Sequence, residues 1–226
     1  VAALLKGVVE WQELMLEAEL MAPFAHRNPH VLNNTLASIK SLAKWGRADE
    51  IALVVSRLGK ILRAGAGRRQ GQSTIGDGLA FVRDYLSIEQ VRFGDRFNFE
   101  IDVPRGMESI PLPPLTLEPL AENALTHGLE RKRGHGTLSI RGRIEGKDAV
   151  VSFEDDGPGM EADALVKLCQ SLEACETPTG GHGMGLLGTN RRLALEYGRG
   201  YGLCVNASNG KPGFKVELRI PAGAES

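Results

Sequence analysis

The chain has 226 residues, and its 42% hydrophobic and 24% charged residues are typical of a globular protein in water. Its 27 basic and 28 acidic residues give a net charge of -1, which argues against a general attraction to nucleic acid or to an anionic membrane. Cys169, Cys175 and Cys204 are odd in number and lack CxxC spacing, which argues against a disulfide framework or a zinc site and fits a reducing cytoplasm.

The first part of the chain is patterned as helices. Apolar residues recur with heptad spacing between Leu4 and Ala25. Two further helical stripes follow, made of Leu32, Leu36, Ile39 and Ala43 and then of Ile51, Val54, Leu58 and Ile61. Gly46 marks a turn between these stripes, and a helical hairpin of this kind buries its stripes most naturally by dimerising into a bundle. Residues 1–72 are therefore predicted to form a helical dimerisation region.

The pattern changes to mixed α/β in residues 73–226, which are predicted to form the second domain. A helix is predicted from Thr74, where Asp77 makes an approximate capping box, to about Arg92. Strands are predicted at 96–103, 137–144, 149–154, 203–207 and 214–220, and helices at 113–129, 161–174 and 187–197. This order indicates an α+β sandwich, with one mixed sheet and helices on one face.

A histidine follows a proline in the stretch RNPHVLNN, residues 27–34. At about 100° per helical residue, His30 and Asn34 share a side that lies roughly opposite Leu32, so His30 should face solvent. Pro29 interrupts the helix at this point because it has no backbone N–H. A neutral imidazole keeps a lone pair near neutral pH and can act as a nucleophile. A surface histidine beside a helix break is the alternative interpretation.

Two glycine-containing stretches have the residue types of a nucleotide site. DDGPGM, residues 155–160, follows a predicted strand, so Asp155 could accept a hydrogen bond from an exocyclic amine, and its glycines let a ligand approach the backbone. GGHGMGLLGTN, residues 180–190, places glycines before a helix, which offers backbone N–H groups to phosphates. An ordinary acidic turn and a flexible linker are the respective alternatives. A Rossmann site is disfavoured, because no strand precedes the GxGxxG match.

The predicted helix that contains LEPLAENALTHG, residues 117–128, carries a polar line made of Thr116, Asn123 and His127. An asparagine carbonyl is a suitable hard ligand for Mg²⁺ that bridges phosphates, and it adds no charge that would repel them. Glu122 is a candidate general base or a solvated helix carboxylate. For Asn123, the alternative is an ordinary polar residue on a helix face.

These motifs resemble the N, G1 and G2 boxes of the GHKL ATP-binding fold, because ENALTHG, DDGPG and GHGMGL occur in that order. NPHVLNN, YLSIEQVRFGDRF at 85–97 and IPLPPLTLEPLAENALTHG at 110–128 extend the resemblance to the LytS/YehU type of sensor histidine kinase. The similarity covers residues 20–220. The chain departs from the family pattern at Arg27, Val31, Asn33 and Thr126, the last of which replaces a frequent lysine.

The resemblance implies that His30 accepts the γ-phosphoryl group of ATP and that Asn34 orients a water for later removal of phosphate from a regulator. It implies ATP and Mg²⁺ as cofactors and Asn123 as the metal ligand. The implied nucleotide contacts are Asn123, His127, Asp155, Gly157, Gly159, Gly181, Gly183, Gly185 and Leu186. His127, Arg131 or Lys132 could replace the charge of the missing lysine.

The implied partners are a second copy of the chain and the receiver domain of a response regulator, which could carry a LytTR-type DNA-binding output. No apolar run approaches the ~20 residues that span a bilayer, and no signal-peptide pattern opens the chain. We therefore expect a cytoplasmic fragment of a membrane-bound sensor. Two alternatives remain open: a nucleotide-binding scaffold without autokinase activity, and a clamp-type GHKL ATPase. Pro119 argues against the clamp-type ATPase, because clamp ATPases resemble one another in having a glutamate at this position.

Overall fold

The structure is a computed structural model that describes residues 35–36, 39–40, 42–43, 46–66, 73–175, 185–207 and 212–223. His30, Asn34, Gly181 and Gly183, together with the predicted heptad pattern, lie outside the described residues. Within these ranges, no helix is both long enough and apolar enough to cross a membrane. The three cysteines are free thiols.

A turn at Gly46 leads into helix α1, Ala48–Ala66, as the sequence predicted. Gly46 has a φ of +66°. The Arg47 N–H donates to the Leu42 carbonyl at 3.2 Å, which is the bond pattern of a glycine C-cap. Helix α1 buries Val54 and Leu58. Of the stripe predicted before the turn, Leu36 is 51% exposed in the single chain, and the neighbouring Leu42 is buried.

Helix α2, Ile75–Phe93, begins at the predicted capping box. The Asp77 N–H donates to the Thr74 hydroxyl at 3.2 Å, and the Thr74 N–H donates to the Asp77 carboxylate at 3.0 Å. Helix α2 contacts α1 on one side and the first strand on the other. Its buried residues are Ile75, Gly78, Leu79, Phe81, Val82, Tyr85, Leu86, Ile88 and Glu89. A helix that is buried on several sides belongs to the core, so α2 joins the helical region to the sheet.

The segment 108–112 supplies hydrogen-bond acceptors to the first turn of α2. The Ile75 N–H donates to the Ile110 carbonyl and the Gly76 N–H to the Glu108 carbonyl, both at 2.9 Å. The Leu112 N–H donates in return to the Ser73 carbonyl at 2.8 Å. The first N–H groups of a helix have no partner within it, so this segment stabilises the start of α2.

Five strands form one mixed sheet, as the sequence predicted, and their order is β1-β2-β3-β5-β4. The strands are β1 Phe97–Asp102, β2 Gly136–Glu145, β3 Asp148–Asp155, β4 Gly202–Ala207 and β5 Phe214–Pro221. Strands β1 and β2 are parallel and the other pairs are antiparallel. Ile140, Phe153 and Leu218 lie on the inner face and are buried. The outer face carries ion pairs, such as that of Arg219 with Asp148 at 2.9 Å, and is therefore suited to water.

The helix predicted at 113–129 begins five residues later than expected. Helix α3 spans Glu118–Asn123 and continues as a π-helix, Ala124–Leu129, whose winding is closed by the Glu130 N–H bond to the Leu125 carbonyl at 2.8 Å. Pro113 and Pro114 have no backbone N–H, and Leu115 has a left-handed φ of +59°. These residues prevent an earlier helix start, although their apolar spacing fits a helix.

Helices α4, Ala162–Glu173, and α5, Leu186–Tyr197, pack on the inner face near β4. The Asn190 side chain connects these three elements. Its amide nitrogen donates to the Leu172 carbonyl at 2.7 Å, and its oxygen accepts from the Leu203 N–H at 2.7 Å. Because Asn190 is only 4% exposed, water cannot readily replace these bonds.

We expect Asn190→Ala to lower the free energy of unfolding by about 2–4 kcal/mol, because it leaves the buried Leu203 N–H without a partner and removes one of the hydrogen bonds to the Leu172 carbonyl. Urea denaturation would measure the change. Asn206→Ala, on an exposed position of β4, is the control and should change stability by less than about 0.5 kcal/mol. Equal effects of the two substitutions would contradict a structural role for the buried amide.

Candidate functional site

Asp155 is the last residue of β3 and lies on the inner face of the sheet, opposite Leu138 and Phe214. Its side chain is buried, with 2% of the residue exposed. The Gly157 N–H donates to its Oδ1 at 2.9 Å. Burial raises the pKa of Asp155 to about 6, against the lowering effect of the backbone bonds from Gly157 and Phe214. The Asp155 carboxylate is thus buried, and a donor on a ligand, rather than bulk water, would be its additional hydrogen-bond partner.

Gly128, the last residue of the ENALTHG motif, packs directly against this carboxylate. A Cβ at Gly128 would lie 2.5 Å from Asp155 Cγ and 2.8 Å from its Oδ2. A Cβ at Gly157 would lie 2.6 Å from both the Cα and the carbonyl oxygen of Gly128. Gly128, Asp155 and Gly157, which come from two motifs, therefore pack so closely that neither glycine position can hold a side chain. The sequence analysis did not identify Gly128, whose only signal was its place at the end of the motif.

Asp156, the second aspartate of DDGPGM, has a different environment. Its Oδ1 accepts from the Thr137 N–H at 2.8 Å, and its Oδ2 pairs with Lys132 Nζ at 2.8 Å. These contacts connect the end of β3 to β2 and to the basic loop that follows the π-helix. Lys132, one of the candidate replacements for the missing lysine, is thus engaged by a carboxylate.

The polar line of the N-box motif is split between two kinds of helix. Asn123 is half-buried at the end of α3, and His127 is exposed on the π-helix. Single π turns inside helices occur frequently at functional sites. Glu122 is half-buried, and together with Glu89 it helps burial to raise the pKa of Tyr85. Its carboxylate is therefore close to α2 and is not fully solvated.

The remaining predicted residues lie at two turns. Gly159 has a φ of +77°, and a Cβ there would lie 2.9 Å from the Gly213 carbonyl oxygen, so this position favours glycine. Gly185 is the N-cap residue of α5 and has no side chain to cap the helix, and Leu186 is its first residue. Helix α5 contacts α3, so the G2 helix and the N-box helix are neighbours.

We expect Gly128→Ala to destabilise the protein by about 1–3 kcal/mol, because the new methyl group and the Asp155 carboxylate cannot both keep their places. Urea denaturation would test this change. Gly106→Ala is the matched control, since a Cβ at Gly106 meets nothing within 4 Å. Two variants as stable as the parent would show that the contact at Gly128 is not tight.

We expect Asp155→Asn to stabilise the ligand-free protein at pH 8. The parent's pKa of about 6, against an ordinary 3.8, means that the folded state binds more protons between these values, so burial of the charge destabilises it above pH 6 by up to about 3 kcal/mol. The gain in unfolding free energy should shrink as the pH falls through 6 and vanish near pH 4. Asp156→Asn should give no such gain, and a less stable Asp155→Asn protein at pH 8 would contradict the prediction.

Comparison with known proteins assigns two regions to the chain. The family "Histidine kinase" matches residues 18–97, and the family "Histidine kinase-, DNA gyrase B-, and HSP90-like ATPase" matches residues 114–224. The sensor histidine kinase YesM of Bacillus subtilis is 34% identical over 222 residues, which are 98% of this chain and 36% of that protein. The sensor protein LytS of Staphylococcus haemolyticus is 28% identical over 96% of this chain and 36% of its own length.

The chain thus spans about a third of the length of the curated relatives that it matches. Among solved structures, the histidine kinase domain from Erythrobacter litoralis EL346 is similar over 93% of this chain and 94% of its own, at 18% identity and a TM-score of 0.47. The two family matches together cover most of the sequence. With the relatives named above, they show that the chain belongs to the sensor histidine kinases of the LytS/YehU type.

Proposed function

We propose that this chain is the catalytic portion of a sensor histidine kinase that transfers the γ-phosphoryl group of ATP to His30. From there the phosphoryl group passes to the receiver domain of a response regulator. The observation that carries this proposal is the buried Asp155 carboxylate, which lies against Gly128 of the N box in a chain of this family. The proposal divides the chain into a dimerisation and phosphoacceptor region, 1–72, and an ATP-binding domain, 73–226.

Asp155 would recognise adenine through its carboxylate. Gly157 already donates to Oδ1, so Oδ2 is the oxygen that can accept from the exocyclic amine of the base. The low polarity around the carboxylate strengthens such a bond. Gly157 and Gly159 would let the ring approach the backbone. Because an ionised carboxylate accepts a stronger hydrogen bond than a neutral carboxyl group, affinity for ATP should fall as the pH drops through about 6, the pKa of Asp155.

The phosphates would lie between the N box and the start of α5. Asn123 would bind Mg²⁺ through its amide oxygen, a hard neutral donor that fits this ion. Among the described residues no group of three His, Cys, Asp or Glu side chains could hold a metal ion, so phosphate oxygens would supply further ligands. When bound, Mg²⁺ neutralises phosphate charge. His127, Gly181, Gly183, Gly185 and Leu186 would contact the nucleotide, and the uncapped N-terminus of α5 favours an anion.

His30 would act as the nucleophile. A ring nitrogen attacks the γ-phosphorus, an N–P bond forms as the bond from phosphorus to the bridging oxygen breaks, ADP leaves, and a ring proton is released to water. Catalysis of this kind depends on positioning and on charge stabilisation. Asn34 would orient a water when phosphate is removed from the regulator.

A second copy of the chain would complete the helical region. Leu36 is 51%, Leu53 42% and Val55 38% exposed on the helices around the Gly46 turn, and a dimeric bundle would cover such side chains. We further propose that the regulator's output is of the LytTR DNA-binding type and that the chain is the cytoplasmic portion of a membrane-bound sensor.

Incubation with γ-labelled Mg-ATP tests this function. We expect label on the parent chain that resists alkali and is lost in acid, as a phosphoramidate should be, and no label on His30→Gln. Calorimetry should show unchanged ATP binding by His30→Gln and weaker binding by Asp155→Asn. Asn123→Ala should lose the part of the affinity that depends on Mg²⁺.

The same experiment separates the alternatives. Bound ATP without label would favour the scaffold, and free phosphate without label would favour the ATPase. Label that persists on His30→Gln would refute His30 as the acceptor. Mixed His30→Gln and Asn123→Ala chains that exchange subunits should regain label on the Asn123→Ala chain only if transfer crosses the dimer.

A further inference from the structure

Helix α5, which follows the glycine-rich G2 motif, is attached to the segment 111–116 at two points. The Tyr197 hydroxyl at its end donates to the Pro111 carbonyl at 3.0 Å. One turn and a half earlier, Arg192 Nη2 donates to the Leu115 carbonyl at 2.6 Å and to the Thr116 hydroxyl at 3.1 Å. These bonds join residues that are more than seventy positions apart in sequence, so they are tertiary contacts and not local capping.

The second attachment lies at an unusual backbone conformation. Leu115 has a φ of +59°, which is unfavourable for a residue with a Cβ and persists only where the surroundings fix it. Burial lowers the pKa of the Arg192 guanidinium that binds its carbonyl, and the nearby Glu118, itself 5% exposed, opposes this lowering. Because Glu118 is the first residue of α3, this contact sets where the N-box helix begins.

The same segment is attached on its other side to α2. Ile110 accepts from the first N–H of α2, and Leu112 donates to Ser73. Pro111 lies between these two residues, so its carbonyl is left for Tyr197. Helix α2 in turn contacts α1, where Arg57 pairs with Asp84 at 3.4 Å. A continuous set of contacts therefore runs from α5 through the segment 110–116 to α2 and α1.

We propose that Tyr197 and Arg192 are positioning residues for phosphoryl transfer, which hold α2, and through α1 the His30 region, in register with the nucleotide site. This inference rests on the proposed function. Transfer to His30 requires precise placement of the acceptor against the nucleotide. Helix α2 contacts both α1 and the N-box helix α3. Tyr197 acts through Pro111 and α2, whereas Arg192 also reaches the N box through Leu115.

Tyr197→Phe is the test, because it removes one hydroxyl and keeps the ring that packs edge-to-face on Tyr201 at 6.3 Å. Tyr201→Phe is the matched control, since the Tyr201 hydroxyl bonds to Asp148 on the sheet and not to the segment 110–116. The rate constant of His30 labelling at saturating ATP, the dissociation constant of ATP and the melting temperature would be measured for both variants and the parent.

We expect Tyr197→Phe to lower the labelling rate constant by about threefold to tenfold, the range for loss of one neutral hydrogen bond. ATP affinity should stay within about twofold of the parent, and the melting temperature should match that of Tyr201→Phe, which should keep the parent's rate. Equal rates for the two variants, or a loss of ATP affinity as large as the loss of rate, would overturn the positioning role. A parent that binds ATP without becoming labelled would instead overturn the proposed function, and this inference with it.

Discussion

The contact between Gly128 and the Asp155 carboxylate is the constraint on which the rest of the site depends. Because Gly128 in the π-helix has no side chain, the N box can approach β3 very closely. The Asp155 carboxylate occupies the space that a Cβ at Gly128 would need. Gly157 then folds back over the same point and donates to that carboxylate. The arrangement keeps an acidic group out of water at the expense of stability, which is usual where a buried charge awaits a ligand. The surroundings of this carboxylate are therefore fixed by contacts within the protein itself.

The parts of the fold that could be predicted from the sequence are those with local causes. The capping box of Thr74 and Asp77, the alternation of β1 and the glycine turn at Gly46 each act within a few residues. The start of α3 was predicted too early. The local signal of Pro113 and Pro114 competed with apolar spacing, and the left-handed Leu115 is bonded to Arg192, a residue far along the chain. Apolar spacing cannot reveal such a distant hydrogen bond.

The residues of the candidate site also fall into those that have a local sequence signal and those that do not. Asp155 and its glycine turn could be identified from DDGPG, since a strand end with small residues beside a carboxylate is a local pattern. The different environments of Asp155 and Asp156 could not, because they are decided by Thr137 and Lys132 on other elements. Gly128 was missed for another reason: a glycine required for its lack of a side chain resembles, in sequence, any glycine at a helix end.

Helix α2 has consequences for how these kinases can be recombined. It packs against α1, to which Arg57 and Asp84 join it, and against β1 of the sheet. A hybrid protein joined just before α2 would present that helix with a foreign partner on one of its two packed sides. Chimeric sensors of this type should therefore exchange α1 and α2 as a pair. Substitutions at the interface of these two helices should also occur together in related proteins, at positions such as 57 and 84.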